Sequence, residues 1–154
     1  MTRWMPHATV ATVIHDDGYF LLTEEMSEGR QVLNQPAGHI EFGESLIAAA
    51  YRETLEETGW EVNITHYQGL YINTSPSGIT YHRHCFIGTP IKAQPDATLD
   101  EGIIGPRWLT WNDLLNAEQQ QQLRSPMVIP CYRDFRDGKQ FPLDIIWNFD
   151  QGDR

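Results

Sequence analysis

Residues 38–60 place three glycines, one arginine and five glutamates at spacings that few folds can absorb. The run 45–58 contains neither Gly nor Pro and ends at Gly59, so it reads as a helix with a glycine stop. On that helix Glu53, Glu56 and Glu57 stand at i, i+3 and i+4 and share one face. The opposite face carries Ile47, Ala48, Tyr51 and Leu55 and is expected to pack on a sheet. Like charges one turn apart destabilise a bare helix by roughly a few tenths of a kcal/mol per pair. A hard divalent cation removes that cost, and carboxylate oxygens suit Mg²⁺ or Mn²⁺. Arg52 lies one turn before Glu56 and can orient a carboxylate. Gly38 and Gly43 permit a tight loop whose carbonyls can complete a metal shell. A merely exposed acidic helix would leave the arginine, the glycines and the upstream Glu44 unexplained.

The rest of the chain alternates strands and helices. Residues 8–15 are rich in β-branched side chains and read as a strand, 16–18 as a turn and 19–23 as the returning strand. Residues 34–43 read as an irregular segment around a short strand. Two longer strands are expected at 61–72 and 79–91, joined by the turn-rich 73–78, with a loop over 92–105. A short strand follows at 107–111. Asn112 is the expected cap of a helix to about Leu123. Ser125-Pro126 starts another helix to about Asp137, kinked or delayed by Pro130. This order predicts an α+β, layered α/β/α domain spanning 1–154.

Charge narrows the function. Eleven basic against 21 acidic residues give a net charge of −10, which repels nucleic-acid backbones and anionic membranes. Small anions remain accessible through a bound cation, which reverses the local sign. The basic residues are nine Arg and two Lys. Arginine suits bidentate phosphate contacts, although genomic base composition also produces such a bias. Cys85 and Cys131 are too few for a disulfide framework or a closed zinc site. The first seven residues lack a signal-peptide pattern, and no apolar run reaches membrane-spanning length. A cytoplasmic protein is expected.

The 38–60 segment resembles the box of the Nudix hydrolases, G-x5-E-x7-R-E-U-x-E-E-x-G-U, with U a bulky aliphatic residue. Every Gly, Glu and Arg position matches, and the departures are Thr54 and Trp60 at the two U positions. Within that family, the segments 34–39, 123–126 and 141–143 look like the NudJ-type phosphatases. The resemblance implies a mixed central sheet between helices and a strand-loop-helix catalytic box. It implies Mg²⁺-dependent attack of water on the diphosphate of nucleoside tri- and diphosphates and thiamine-pathway pyrimidine pyrophosphates, with release of inorganic phosphate. A MutT-like release of pyrophosphate, a nucleotide sensor without activity and a messenger-RNA decapping enzyme are the alternatives. Small-molecule substrates, no nucleic acid, no membrane, and a monomer or homodimer are the expected partners.

The resemblance also implies roles. Glu56 and Glu57 would hold the metal, with the Ala37 carbonyl as a further ligand and Glu53 as ligand or general base. Glu44 would hold the loop or a second metal, and Arg52 would orient the carboxylates. A late acidic residue is expected from the loop before Trp108, with Glu101 first and Asp100 second. Arg83 is a phosphate contact or a structural ion pair. Gly38 and His39 are substrate-binding candidates, His39 with loop bracing as its alternative. His82 and His84 share a strand face, but a zinc reading lacks further ligands. Trp4, Tyr71 and Tyr81 are candidates for stacking on a base, with core packing as the other reading.

Overall fold

The computed structural model describes residues 2–151, so both ends of the domain expected over 1–154 lie outside the described residues. Seven strands form one sheet: β1 (His7–Asp16), β2 (Tyr19–Ser27), β3 (Arg30–Asn34), β4 (Ala37–His39), β5 (Trp60–Thr74), β6 (Thr80–Ala93) and β7 (Ile103–Thr110). The main path runs β3-β2-β1-β6-β5, with β4 on β1 and β7 on β2. The β1–β6 pair is parallel and the remaining pairs are antiparallel, so the sheet is mixed. Helix α1 (Leu46–Thr58) covers one face, and α2 (Trp111–Gln119) with α3 (Val128–Arg136) covers the other.

Strand alternation sends Val13, Cys85 and Leu22 toward α2 and α3, where Leu114, Val128 and Tyr132 complete one core. Val10, Ile14, Leu21 and Phe86 point the other way and meet Ala49 and Ala50 of α1. The expected α/β/α layering is therefore present. Among the described residues, no helix is long and apolar enough to cross a membrane.

Helix α1 is turned differently from expectation. Its buried residues are Ala49, Ala50, Glu53, Thr54, Glu57 and Thr58, whereas Tyr51 and Leu55 are 38% and 39% exposed. Small side chains let the helix lie close to the sheet. The buried threonines leave no hydroxyl unpaired: Thr54 donates to the Ala50 carbonyl at 2.7 Å and Thr58 to that of Thr54 at 2.6 Å. Tyr51 still contributes, its hydroxyl accepting from the Ile64 N–H at 3.1 Å. Thr54 thus fits its position through backbone bonding, and Trp60 packs edge-on against Trp108 at 5.4 Å.

Other boundaries shift for local reasons. Strand β3 is an element that the polar run Arg30-Gln31 concealed. Thr110, not Asn112, caps α2, in a reciprocal capping box with Asp113. That helix ends at Gln119 rather than near Leu123, since the chain turns to pair Leu33 with Leu123. Helix α3 starts at Val128, which places Pro130 in its first turn, where no amide donor is required.

Candidate metal and substrate site

Ser45 caps α1 through its side chain, which accepts the Ala48 N–H at 3.0 Å. Gly59 closes the helix in the left-handed region, φ 72°, with its N–H on the Leu55 carbonyl. Strand β4 runs beside the helix, aligned Ala37 to Ala11 and His39 to Thr9. The two elements touch at Gly38, where an added Cβ would overlap the Glu53 carboxylate. A side chain here would have to displace the Glu53 carboxylate. Next to it, the Ala37 N–H donates to Glu57 Oε1 at 2.7 Å.

Arg52 is the hub of the box. Its Nε and Nη2 donate to the two oxygens of Glu44 at 2.6 and 2.9 Å. Its Nη1 reaches Glu53 Oε1 at 2.7 Å and Glu56 Oε2 at 3.0 Å, and Nη2 also reaches the His39 carbonyl at 3.0 Å. These bonds favour both charged partners: the guanidinium pKa is raised, and hydrogen bonding to Arg52 holds Glu44 below the usual carboxylate range. Both Glu44 oxygens are engaged by the arginine, and Oε1 also accepts the Glu41 N–H at 3.1 Å. Of the two roles expected for Glu44, this bonding suits holding the loop and leaves it ill placed for a metal.

One oxygen from each of Glu53, Glu56 and Asp100 lies within 4.8 Å of the others. Three converging carboxylates form a hard-oxygen donor set that fits a divalent cation. The expected order of the late acids is reversed, since Asp100 rather than Glu101 joins this group. The cause is a backbone bond: the Asp100 N–H donates to the Glu56 carbonyl at 2.9 Å and fixes the loop on the helix end. Glu57 stands outside the group among the described residues, drawn toward the Ala37 amide. Burial pushes its pKa up to about 8 from the ordinary 4.5, with Glu25, Glu53 and Asp100 adding repulsion. Burial also raises the pKa of Glu53, against the pull of Arg52.

A cavity of about 750 Å³ opens beside β4 and is lined by Ala37, Gly38 and His39 together with Tyr81, Arg83 and Arg124. Arg83 is 5% exposed and makes no ion pair with a carboxylate among the described residues, so its structural-pair reading finds no support. His39 bonds to His7, Nε2 to Nδ1, at 3.1 Å. His84 pairs with the Tyr67 hydroxyl at 3.0 Å, and His82 meets Trp4 edge-on. Among the described residues, neither histidine joins a metal-sized group. Tyr71 belongs to a packing network, its hydroxyl donating to Asp134 at 2.6 Å, which leaves Tyr81 as the aromatic facing the cavity.

One residue emerges that sequence reading missed, and its partner Arg124 enters that reading only as part of the segment 123–126. Glu25 is 3% exposed and pairs with Arg124 at 2.6 Å. Its signal was strand phase, because Leu21, Thr23 and Glu25 share an inward face.

A NUDIX domain model matches residues 5–128. Phosphatase NudJ of Escherichia coli (strain K12) is 36% identical over 144 residues, covering 94% of this chain and 92% of that protein. Phosphatase NudJ of Shigella flexneri matches equally well. A solved NUDIX hydrolase from Nitrosomonas europaea superposes with a TM-score of 0.90 at 41% identity, covering 96% of this chain and all of that one. Domain, relatives and fold agree, and the chain belongs to the Nudix family as a hydrolase of phosphoanhydride bonds.

Proposed function

We propose that this protein is a Mg²⁺-dependent phosphohydrolase, Mn²⁺ substituting, that attacks the diphosphate of nucleoside tri- and diphosphates and of thiamine-pathway pyrimidine pyrophosphates. The product is inorganic phosphate. One observation carries the reading: Glu53 of the three-carboxylate group with Glu56 and Asp100 abuts Gly38, which lines the same cavity as Arg83. Its similarity to proteins called Phosphatase NudJ supports the choice of phosphate as product. The substrates are small molecules met in the cytoplasm, by a monomer or homodimer.

When bound, the cation neutralises phosphate charge and lowers the pKa of the attacking water. Glu53, Glu56 and Asp100 would hold it. Glu57, favoured in its neutral form by burial, would join the set as a carboxylate with a cation present, and the Ala37 carbonyl would be a further ligand. Glu53 would serve either as a further ligand or as the general base that accepts the proton of the attacking water. Arg52 keeps Glu53 and Glu56 oriented, while Gly38, His39 and Arg83 meet the substrate.

The test is product analysis on nucleoside di- and triphosphates and pyrimidine pyrophosphates, with Mg²⁺ and with chelator. Phosphate released only with the metal is expected. Pyrophosphate from a triphosphate would favour the MutT-like reaction instead. Nucleotide binding without turnover would favour a sensor.

A further inference from the structure

The hairpin of β5 and β6 is an exception in an acidic chain. Residues 62–95 contain no Asp or Glu, although acids make up 21 of the 154 residues. Residues 2–15, whose strand β1 runs beside β6, contain none either. Strand β5 is the last on its side of the sheet. Among the described residues it pairs only with β6 and, at Tyr67, with Phe141. Its outer edge therefore presents backbone donors and acceptors that a further strand could use.

Half of that edge is protected. Register shifts interrupt β5 between Glu61 and Val62, Ile64 and His66, and Tyr67 and Gly69. Such bulges blunt an edge. Phe141 then occupies the edge at Tyr67, with bonds of 2.9 and 2.8 Å in the two directions. Residues 70–74 have no such protection among the described residues. Their register on β6 is unbroken, from Leu70 opposite His84 to Thr74 opposite Thr80. They include no Pro, no Lys and no acid. The Ser75 N–H bonds across to the Ile79 carbonyl at 2.8 Å. Backbone alternation then turns the N–H and C=O groups of Leu70, Ile72 and Thr74 outward. The side chains here are apolar and exposed, Leu70 by 47% and Ile72 by 61%. Trp4, 66% exposed, stands edge-on to His82, the residue opposite Ile72. On the other face Lys139 lies over the Tyr71 ring at 5.7 Å, its charge paired with Asp134 at 3.6 Å.

We propose that residues 70–74 form the twofold interface of a homodimer, in which β5 pairs antiparallel with β5 of a second copy and the sheet continues through both. Antiparallel edge pairing is self-complementary. About a twofold axis at Tyr71, Leu70 stands opposite Ile72 of the second copy, and the outward amides and carbonyls bond to one another. Leu70, Ile72 and Trp4 supply an apolar centre. Charge selects the same place. Two chains of net charge −10 repel each other, and they approach most easily along an edge without acids. A basic partner would be drawn instead to the acids elsewhere on the chain. The dimer does not depend on the reaction proposed above. Asn73 and Thr74 also line the cavity, so the second copy stands at its rim.

Sedimentation velocity of the full chain over a concentration series tests the interface. A monomer–dimer equilibrium is expected for the wild type. Ile72→Lys places a charge at an exposed position of each copy and should raise the dimer dissociation constant by about tenfold or more. Leu70→Lys should act in the same direction and serves if Ile72→Lys does not fold. Ile104→Lys, at a 47% exposed isoleucine of β7, should change the constant by less than about twofold. Hydrogen exchange reports the register. The amides of Leu70, Ile72 and Thr74 should exchange more slowly as concentration rises, whereas those of Tyr71 and Asn73, turned toward β6, should not respond. A wild type that stays monomeric throughout overturns the proposal. So does a dimer that both lysine variants leave intact, one that Ile104→Lys disrupts equally, or exchange at Leu70, Ile72 and Thr74 that ignores concentration.

Discussion

The carboxylate of Glu53 rests against the Cα of Gly38, in the space a side chain would fill. Gly38→Ala should therefore push Glu53 away from Glu56 and Asp100 while β4 keeps its pairing with β1. Small misplacements in a reacting site cost on the order of 100-fold. We expect kcat/KM to fall by about that factor or more, with the circular dichroism spectrum retained. Activity close to wild type would show that Glu53 is not needed in its present place.

Asp100 and Glu101 separate cleanly. Asp100→Asn should weaken Mg²⁺ affinity and lower the rate by about 10–100-fold, as loss of metal-site support does elsewhere. Glu101→Gln should change both by less than about twofold, as surface substitutions usually do. Metal titrations of both variants check this, and the reverse ranking would restore Glu101 to the role expected from sequence.

Arg52→Gln removes charge-assisted bonds to three glutamates at once. The hub is partly exposed, so solvent screening reduces the loss, to about 1–3 kcal/mol. For a chain of this size that lowers Tm by roughly 2–10 °C. The deficit should shrink in Mg²⁺, which takes over neutralisation of Glu53 and Glu56. A larger deficit with Mg²⁺ would contradict the shared use of these carboxylates.

The raised Glu57 pKa sets a pH dependence. Folding favours its protonated form, so this stabilisation is complete below the ordinary pKa of 4.5 and is lost as pH rises through about 8. Glu53, also raised, acts in the same direction. Glu44 and Asp113 are lowered, and their contribution is lost on acidification, outside this window, whereas His15 and His84, lowered by burial, gain stability as pH rises and offset part of the fall within it. In chelator, Tm should fall between about pH 5 and 8 and then level off, on the Glu57 shift. Added Mg²⁺ should stabilise more at pH 8 than at pH 5, with proton release on binding. Calorimetry in two buffers of different ionisation enthalpy measures that release, and its absence would remove Glu57 from the metal's reach.

The box was legible because its glycines and charges sit at helical spacings that leave little freedom: Ser45 caps, Gly59 stops, and Arg52 reaches Glu56 one turn on. The orientation of that helix was not. Hydrophobicity favours Tyr51 and Leu55 as the buried face, but close approach to the sheet selects Ala49, Ala50 and self-bonded Thr54 instead. Asp100 and Glu101 are indistinguishable in sequence, because the Asp100 amide on the Glu56 carbonyl, a tertiary bond, holds its carboxylate near Glu53 and Glu56. Glu25 was hidden for a similar reason: its partner Arg124 lies 99 residues away.

The loop that carries Asp100 is sewn to the helix end twice, by the Gln94 N–H on the Gly59 carbonyl at 2.7 Å and by the Asp100 N–H on that of Glu56 at 2.9 Å. The site is thus not portable as one contiguous segment. Grafting residues 38–60 onto another scaffold would transfer two of the three clustered carboxylates and leave the third behind. A recipient would have to reproduce a second loop crossing at the helix terminus before it could bring the three carboxylates together.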